Sequence, residues 1–481
     1  KAILEDYQEA KKFPVESKIL VLCGGGHNAG DAIIATRHIL ERYPSASATL
    51  VFLKPLAKSK PLLQEVVREL ETQFKAQVTS MSWSEKCRGR IEGQHWDLCL
   101  DGLLGMAFKP PLKEPYGEVV SFFNDTVKPK VFFTVSIDLP SGWSEDDTEN
   151  AIQPDWVYMP GAPKLELFAK ATTSIRFRLR FLDLGFFEDS NSSSNLSLID
   201  EVGTLKNFNQ LRSAGSDKRN FGHVCILAGS DSMPGALFMA TESALKSGAG
   251  LVTTFSPVSI AKLGAIRLPE AMWQPLPVRS DGALDNNIIE TMSHALAQAS
   301  SLVIGPGLPR DEVTQATLAE LVRQTEIPLV LDASALQPSI IDAAFNREHQ
   351  QVPLILTPHL GEFKRIFPDL DTDDIEELQL KCRKFNCVCL TKGPVSRVTD
   401  GKGTVVSISG GPILARGGTG DLLAGMLGTL IAQFPDDARK AVSIALSWQG
   451  LSAQYLARDR GQLAVRTTEL IDFYHRAIRS C

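Results

Sequence analysis

Eight cysteines in 481 residues are too few and too scattered to make a disulfide framework. Five of them, Cys23, Cys99, Cys225, Cys387 and Cys389, stand inside apolar, strand-like runs, where a thiol serves as a small hydrophobe. The one close pair, Cys387-Val-Cys389, alternates along a strand and so points its thiols to opposite faces. This pattern speaks for a reducing cytoplasm and against a zinc site. No apolar stretch approaches the ~20 residues of a membrane span, and none has the form of a secretory signal. Basic residues are not in excess. A formal net charge of −6 argues against a nucleic-acid or anionic-membrane partner, while leaving room for a local basic pocket. There is no short-period repeat. The chain opens on Lys1 instead of Met, which leaves room for further residues, a targeting segment included, ahead of it.

What is present is ordinary globular composition, 43% hydrophobic and 22% charged, in a chain long enough for two domains. Short β-rich apolar runs alternate with helical patterns, which predicts an α/β fold with a largely parallel sheet. The first half carries "KILVLCGGG", "HWDLCLDGLLG", "VFFTVSIDLPSG", "DWVYMPG" and "IRFRLRFLDLG". The second restarts with "HVCILAG", "SLVIGPG", "PLVLDASAL", "LILTPH" and "CVCLTKG". Each run ends in glycine or a polar residue, as strands do where they stop at a ligand crevice. Between the halves the polar, serine-rich stretch Glu188 to Ser197 reads as a linker. The expected division is 1–190, a linker at 191–197, and 198–481.

In "ARGGTGDLLAGMLGTL" the glycines 417, 418 and 420 let successive amides converge on an anion, and the helix that follows adds its positive end. An acid here, Asp421, would repel phosphate unless it had a chemical task. The natural one is general base, taking a proton from a hydroxyl that attacks a phosphoryl group; the plain alternative is a helix cap. Leu422, Leu423, Met426, Leu427, Leu430 and Ile431 recur at helical spacing as one apolar stripe, with Gly425 and Gly428 reserved for close packing. Lys392-Gly393 ends a strand, suited to a nucleotide phosphate or else merely solvated, before a hairpin turned by Asp400-Gly401. His359 and Glu362 follow Pro358 at another strand end, and Gly305 and Gly307 lie at a further one.

The motifs "GSDSMPGA", "SGAGLVT", "IGPGL", "LDASAL", "LTPHLGEF", "TKG" and "GGTGDLLAGM", in that order, resemble the ADP/ATP-dependent NAD(P)H-hydrate dehydratase family. The resemblance implies a ribokinase-like domain that returns hydrated NADH or NADPH to the normal cofactor at the expense of ADP or ATP, with Mg2+. Phosphorylating the ring hydroxyl turns a poor leaving group into one that can be eliminated. Motif by motif, it implies hydrate contacts at Ala236, Gly307 and His359. Nucleotide contacts fall at Lys392, Gly393, Pro394, Val395 and Ser396, and at Gly417, Gly418, Thr419 and Gly420; Asp421 takes the catalytic position. Two departures are Ser334 in Asp332-Ala-Ser334-Ala-Leu336 and Leu360, which replaces a proline and would loosen His359.

"VLCGGGHNAGDAIIATRHIL" is again strand, glycine turn and helix, with Ile33, Ile34, Ile39 and Leu40 on the buried side. Gly24, Gly26 and Gly30 miss the dinucleotide fingerprint because the last interval is one residue too long, so a plain dehydrogenase is disfavoured. With "DGLLGMAFK", "SIDLPSGW", "APK" and "RFLDLG", this half resembles the NAD(P)H-hydrate epimerase family. That implies a Rossmann-like three-layer sandwich, a potassium ion on the oxygens of Asn28, Asp101 and Ser141, and substrate contacts at Asn28, Asp31, Gly105 and Asp138. Asp138 would be the acid–base group; otherwise it starts a turn before Pro140-Ser141-Gly142. The usual "NNGGDG" turn is here His27-Asn28-Ala29-Gly30-Asp31-Ala32, which adds two Cβ atoms where the substrate should approach. The halves fused in this order imply a bifunctional, cytoplasmic, homo-oligomeric repair enzyme acting on hydrated NADH or NADPH. The alternative is a ribokinase-like small-molecule kinase with a binding-only first half.

Overall fold

The computed structural model describes residues 1–144, 148–164, 166–169, 175–185, 196–209 and 211–481. The chain divides into two compact units, Lys1–Ser192 and Ser193–Cys481. Of the stretch read as a linker, residues 188–195 lie outside the described residues. Leu196 and Ser197 do not link: they begin a strand, Leu196–Leu198, that pairs inside the second unit's sheet. A three-residue edge strand is too short to show the alternation by which strands are read.

The first unit is built on seven strands: β1 (Lys18–Cys23), β2 (Ser47–Phe52), β3 (Val78–Ser82), β4 (Trp96–Gly102), β5 (Val131–Ile137), β6 (Trp156–Pro160) and β7 (Arg178–Leu182). All pair in parallel, in the order β3-β2-β1-β4-β5-β6-β7. Sequence order reverses between β1 and β4, and it is beyond such a switch point that parallel sheets open a crevice. β1 is buried from Ile19 to Cys23, as a central strand covered on both faces must be. The helix His27–Arg42 that follows buries Ile33, Ile39 and Leu40, with Ile34 only partly covered. The first helix, Ala2–Tyr7, is tied to the far edge by charge: buried Asp6 accepts from Tyr158 Oη at 2.5 Å and from Arg180 at 2.8 Å.

The second unit has ten strands: β8 (Leu196–Leu198), β9 (His223–Leu227), β10 (Leu251–Pro257), β11 (Met272–Leu276), β12 (Ser301–Ile304), β13 (Leu329–Leu331), β14 (Leu354–Leu356), β15 (Cys387–Thr391), β16 (Ser396–Thr399) and β17 (Thr404–Ser407). Their order is β11-β10-β9-β12-β13-β14-β15-β16-β17-β8. From β11 to β15 the pairing is parallel, while β15–β16 and β16–β17 are antiparallel. The β16–β17 turn is the one its Asp-Gly predicts, with Asp400 Oδ1 accepting from the amides of Lys402 and Gly403. Here the switch point lies between β9 and β12. The five strand ends read from the sequence are therefore five neighbours in one sheet. Cys23, Cys99, Cys225, Cys387 and Cys389 are all buried in strands. Among the described residues no helix is long and apolar enough to cross a membrane.

The helix Thr419–Gln433 buries more than the expected stripe: every residue from Leu422 to Ile431 is covered. It packs against the sheet, the helix Pro234–Lys246 and the helix Ala438–Arg460, and its glycines are where neighbours come close. A Cβ on Gly425 would lie 1.9 Å from the carbonyl oxygen of Ala240. Gly425→Ala should thus destabilise the protein by about 1–3 kcal/mol through overpacking, against the ~1 kcal/mol that alanine normally gains in a helix. Denaturant unfolding of the variant measures this; a gain in stability would contradict the close approach.

Candidate functional sites

In the second unit the site grows from adjacent strand ends. β12 runs into Gly305, whose backbone φ of +129° and crowding against Asp332 admit only glycine: a Cβ would fall 1.7 Å from the Asp332 carbonyl oxygen. Gly307, two residues on, packs directly on Ala236, the third residue of the helix Pro234–Lys246. Two of the three expected hydrate contacts are therefore side by side at the switch point, where the Gly229 amide also donates to Pro306 O at 2.7 Å.

β14 and β15 deliver His359 and Lys392, which bridge as neighbours; the Lys392 amide donates to Pro358 O at 2.9 Å. His359 is the N-cap of the helix Leu360–Ile366. Its Nδ1 accepts from the amides of Gly361 and Glu362 at 3.0 and 3.3 Å, and Glu362 Oε2 accepts from the His359 amide at 2.9 Å. This reciprocal cap holds the histidine, so replacing proline by Leu360 does not loosen it as the sequence suggests. Accepting at Nδ1 requires the proton on Nε2, and most of the ring remains exposed.

The Lys392 ammonium donates to Asp332 Oδ1 at 2.8 Å, and Thr357 Oγ1 donates to the same oxygen at 2.6 Å. Burial works against the ammonium, but Asp332 first, then Glu362 and Asp421, hold its pKa above the ordinary lysine value. Asp421 is not a cap. The N-cap of its helix is Gly418, with φ +94° and no capping side chain, and Asp421 is the third helical residue. Its carboxyl is pushed up to about 6, by burial above all and then by Asp332, with Lys392 pulling the other way. Gly420 lies against both members of the pair, since a Cβ there would be 3.6 Å from Lys392 Nζ and 3.7 Å from Asp332 Oδ2.

Other expected nucleotide contacts are offered by backbone. Gly393 and Pro394 are exposed at the β15–β16 turn and Ser396 Oγ bonds back to Gly393 O at 3.2 Å, but the Val395 side chain is buried. Thr419 spends its hydroxyl on Leu414 O and Arg416 O, and the Gly417 carbonyl accepts from Thr467 Oγ1 at 2.8 Å. What the turn offers a ligand is its amides. Asp332 and Thr357 were not singled out from the sequence; the available signal was an acid ending a strand in "LDASAL".

In the first unit, Asp101, the penultimate residue of β4, is fully buried. Its Oδ1 accepts from Ser141 Oγ at 2.6 Å and Leu103 N at 3.2 Å, and its Oδ2 from Ser136 Oγ at 2.7 Å and Ser141 N at 2.9 Å. Burial still raises its pKa, against these hydrogen bonds. Asn28 Nδ2 donates to Leu104 O at 2.6 Å, while its Oδ1 is buried with no partner. Such an orphaned oxygen, on a side chain that shares Leu104 O with the Ser141 hydroxyl, suits a hard monovalent cation. Among the described residues no three His, Cys, Asp or Glu side chains converge as a metal cluster.

Asp138 follows β5 at φ +70°, a strained backbone for a non-glycine residue. Its Oδ1 pairs with Lys164 at 2.8 Å, and its Oδ2 accepts from Met106 N at 2.9 Å. Gly105 makes room for this, since a Cβ there would lie 2.8 Å from Asp138 Oδ2. Asp31 is near enough for its own carboxyl to be raised, by partial burial first, with Asp138 adding and His27 opposing. Ala29 and Ala32, the two residues expected to obstruct the substrate, do not. Both are fully buried in the core beneath the turn, and Ala32 Cβ faces Gly102 of β4.

A cavity of about 880 Å3 in the second unit is a different place. It is lined by Lys246, Gly248 and Gln433, at the far ends of the helices that carry Ala236 and Asp421, with Trp448 and Tyr474.

Two α/β units, each with charged and small residues gathered at the ends of neighbouring parallel strands, define a two-site enzyme of small-molecule chemistry. The family NAD(P)H-hydrate dehydratase matches residues 224–476, and the family YjeF-related protein N-terminus matches residues 6–166. The bifunctional NAD(P)H-hydrate repair enzyme of Moorella thermoacetica is 30% identical over 479 residues, covering 96% of this chain and 88% of that protein. A ribokinase-like superfamily protein of Enterococcus faecalis superposes with a TM-score of 0.51 at 24% identity, over 61% of this chain and 99% of its own, which shows the fold. An ADP/ATP-dependent NAD(P)H-hydrate dehydratase of Bacillus subtilis, co-crystallised with ATP and Mg2+, has 28% identity and a TM-score of 0.49 over 60% of this chain and 99% of its own. The chain belongs to the bifunctional NAD(P)H-hydrate repair enzymes.

A carboxyl raised in the folded state to about 6 weakens folding at any pH where it must ionise. The penalty is absent below its unfolded pKa of roughly 4 and complete above about 6. Asp421→Asn should therefore raise the melting temperature at pH 7.5 and lose that advantage at pH 4. Melting curves across this range check it; an unchanged or lower melting temperature at pH 7.5 would contradict the burial of charge.

Proposed function

We propose that Asp421 is the general base of the nucleotide-dependent dehydration that this family carries out on hydrated NADH and NADPH. The supporting observation is its placement: third residue of an uncapped, glycine-led helix, beside Lys392, with a carboxyl poised near neutrality. Asp421 takes the proton of the ring hydroxyl as that oxygen bonds to the terminal phosphorus of ADP or ATP, and the shortened nucleotide leaves. The new phosphate ester then departs as inorganic phosphate with loss of a ring proton, restoring the double bond. Ala236, Gly307 and His359 hold the hydrate. Lys392 to Ser396 and the amides of Gly417 to Gly420 hold the nucleotide, whose charge Mg2+ would help neutralise.

In the first unit, the epimerase of the pair, Asp138 serves as the acid–base group, with Lys164 and the Met106 amide fixing its two oxygens. Asn28, Asp31 and Gly105 border the substrate. Asn28, Asp101 and Ser141 would hold potassium, supplying a fixed positive charge to an otherwise anionic turn.

Asp421→Asn should lower kcat for NADH formation by at least ~100-fold with nucleotide affinity retained. Recovery of absorbance from NADH hydrate with ADP or ATP measures it, and turnover within a few-fold of the wild type would refute the assignment. With each hydrate epimer supplied separately, Asp138→Asn should abolish use of one and leave the other untouched. Equal loss on both epimers, or none on either, would count against the acid–base role.

A further inference from the structure

Asp332 is fixed from every side yet belongs to neither segment that contacts ligand in the reading above. Its amide donates to Ile304 O at 3.1 Å, and its carbonyl is pressed against Gly305, where no side chain fits. Its buried carboxylate takes two donors on Oδ1, Thr357 at 2.6 Å and Lys392 at 2.8 Å, and turns Oδ2 toward the Gly420 turn. Without Asp332, the carboxylates left to draw the Lys392 ammonium would be Glu362, already bonded to the His359 amide, and Asp421. An ammonium bonded there would cover the lone pairs that must receive the substrate's proton and make them less basic.

We propose that Asp332 is a positioning residue for dehydration: it anchors Lys392 at the nucleotide and so keeps the Asp421 carboxylate unpaired and available as base. The inference rests on Asp421 being that base. The charges acting on Asp421 are Asp332, which strengthens it as a base, and Lys392, which weakens it; Glu362 acts on Lys392. Asp332 thus works twice, through its own charge and by holding the opposing one.

The test is the pH dependence of kcat at saturating hydrate and nucleotide. Asp332→Asn keeps an acceptor for Thr357 but loses the charge. Its acidic limb should move down by about one pH unit, with kcat at pH 7.5 reduced about 10-fold or more and KM for the hydrate nearly unchanged. Lys392→Met should move the limb the other way, up by a similar amount. A merely structural Asp332 would lower the amount of active protein without moving either limb. An unmoved limb in folded Asp332→Asn, or limbs displaced in the same direction in the two variants, overturns the proposal. Should Asp332→Asn fail to fold by its melting curve, Lys392→Met decides alone: an upward shift supports the proposal and no shift overturns it. Asp421→Asn is run alongside. If it keeps its turnover, the base assignment itself is wrong; if it is inactive while the limbs stay put, only the role of Asp332 falls.

Discussion

One ammonium shared between two carboxylates sets the terms for the dehydratase unit. Lys392 is bonded to Asp332 and only near Asp421, and that asymmetry is what gives two acids in one crevice two different characters. It can exist only because parallel strands end side by side. β13 supplies Asp332, β14 brings Thr357 and His359, β15 brings Lys392, and the glycine-led turn lays Asp421 across them. Neighbouring strands contribute the groups in turn, so the spacing of the sheet becomes the spacing of the chemistry.

The first unit solves the burial of charge differently. Asp101 is fully enclosed with hydroxyls and amides as donors. Its neighbourhood is rich in oxygen, with Asn28 Oδ1 left over. Asp138, by contrast, has a lysine on one oxygen and an amide on the other. Within each unit, then, one carboxylate is locked by its donors and another stays partly open; in the first unit the locked Asp101 also ties down Ser136 and Ser141, which flank Asp138 in the chain.

Much of this was legible in the sequence because local rules and tertiary structure agree. Apolar runs closed by glycine or acid became neighbouring parallel strands, and the Asp-Gly pair turned the β16–β17 hairpin. Where reading failed, the deciding contact was distant along the chain. Leu196 pairs with Thr404, so nothing in a serine-rich neighbourhood announces a strand. Ala29 and Ala32 looked obstructive beside the family's glycines, yet their direction depends on where β4 passes the helix. Asp332 escaped notice because its partners, Thr357 and Lys392, lie 25 and 60 residues away. Leu360 looked like a loss of rigidity, but His359 is secured by Glu362, a short-range cap already visible in "HLGE".

The enclosure of the helix Thr419–Gln433 from Leu422 to Ile431 has a bearing on how this enzyme can change. A surface helix can roll or slide a little to suit a new substrate; one packed on all sides, with a glycine touching a neighbour's backbone, is in effect part of the sheet's frame. Asp421 therefore keeps its address whatever occupies the crevice. Retuning of specificity over evolutionary time would fall to the exposed β15–β16 turn and the ring of His359, which can drift while the anvil beneath them stays still.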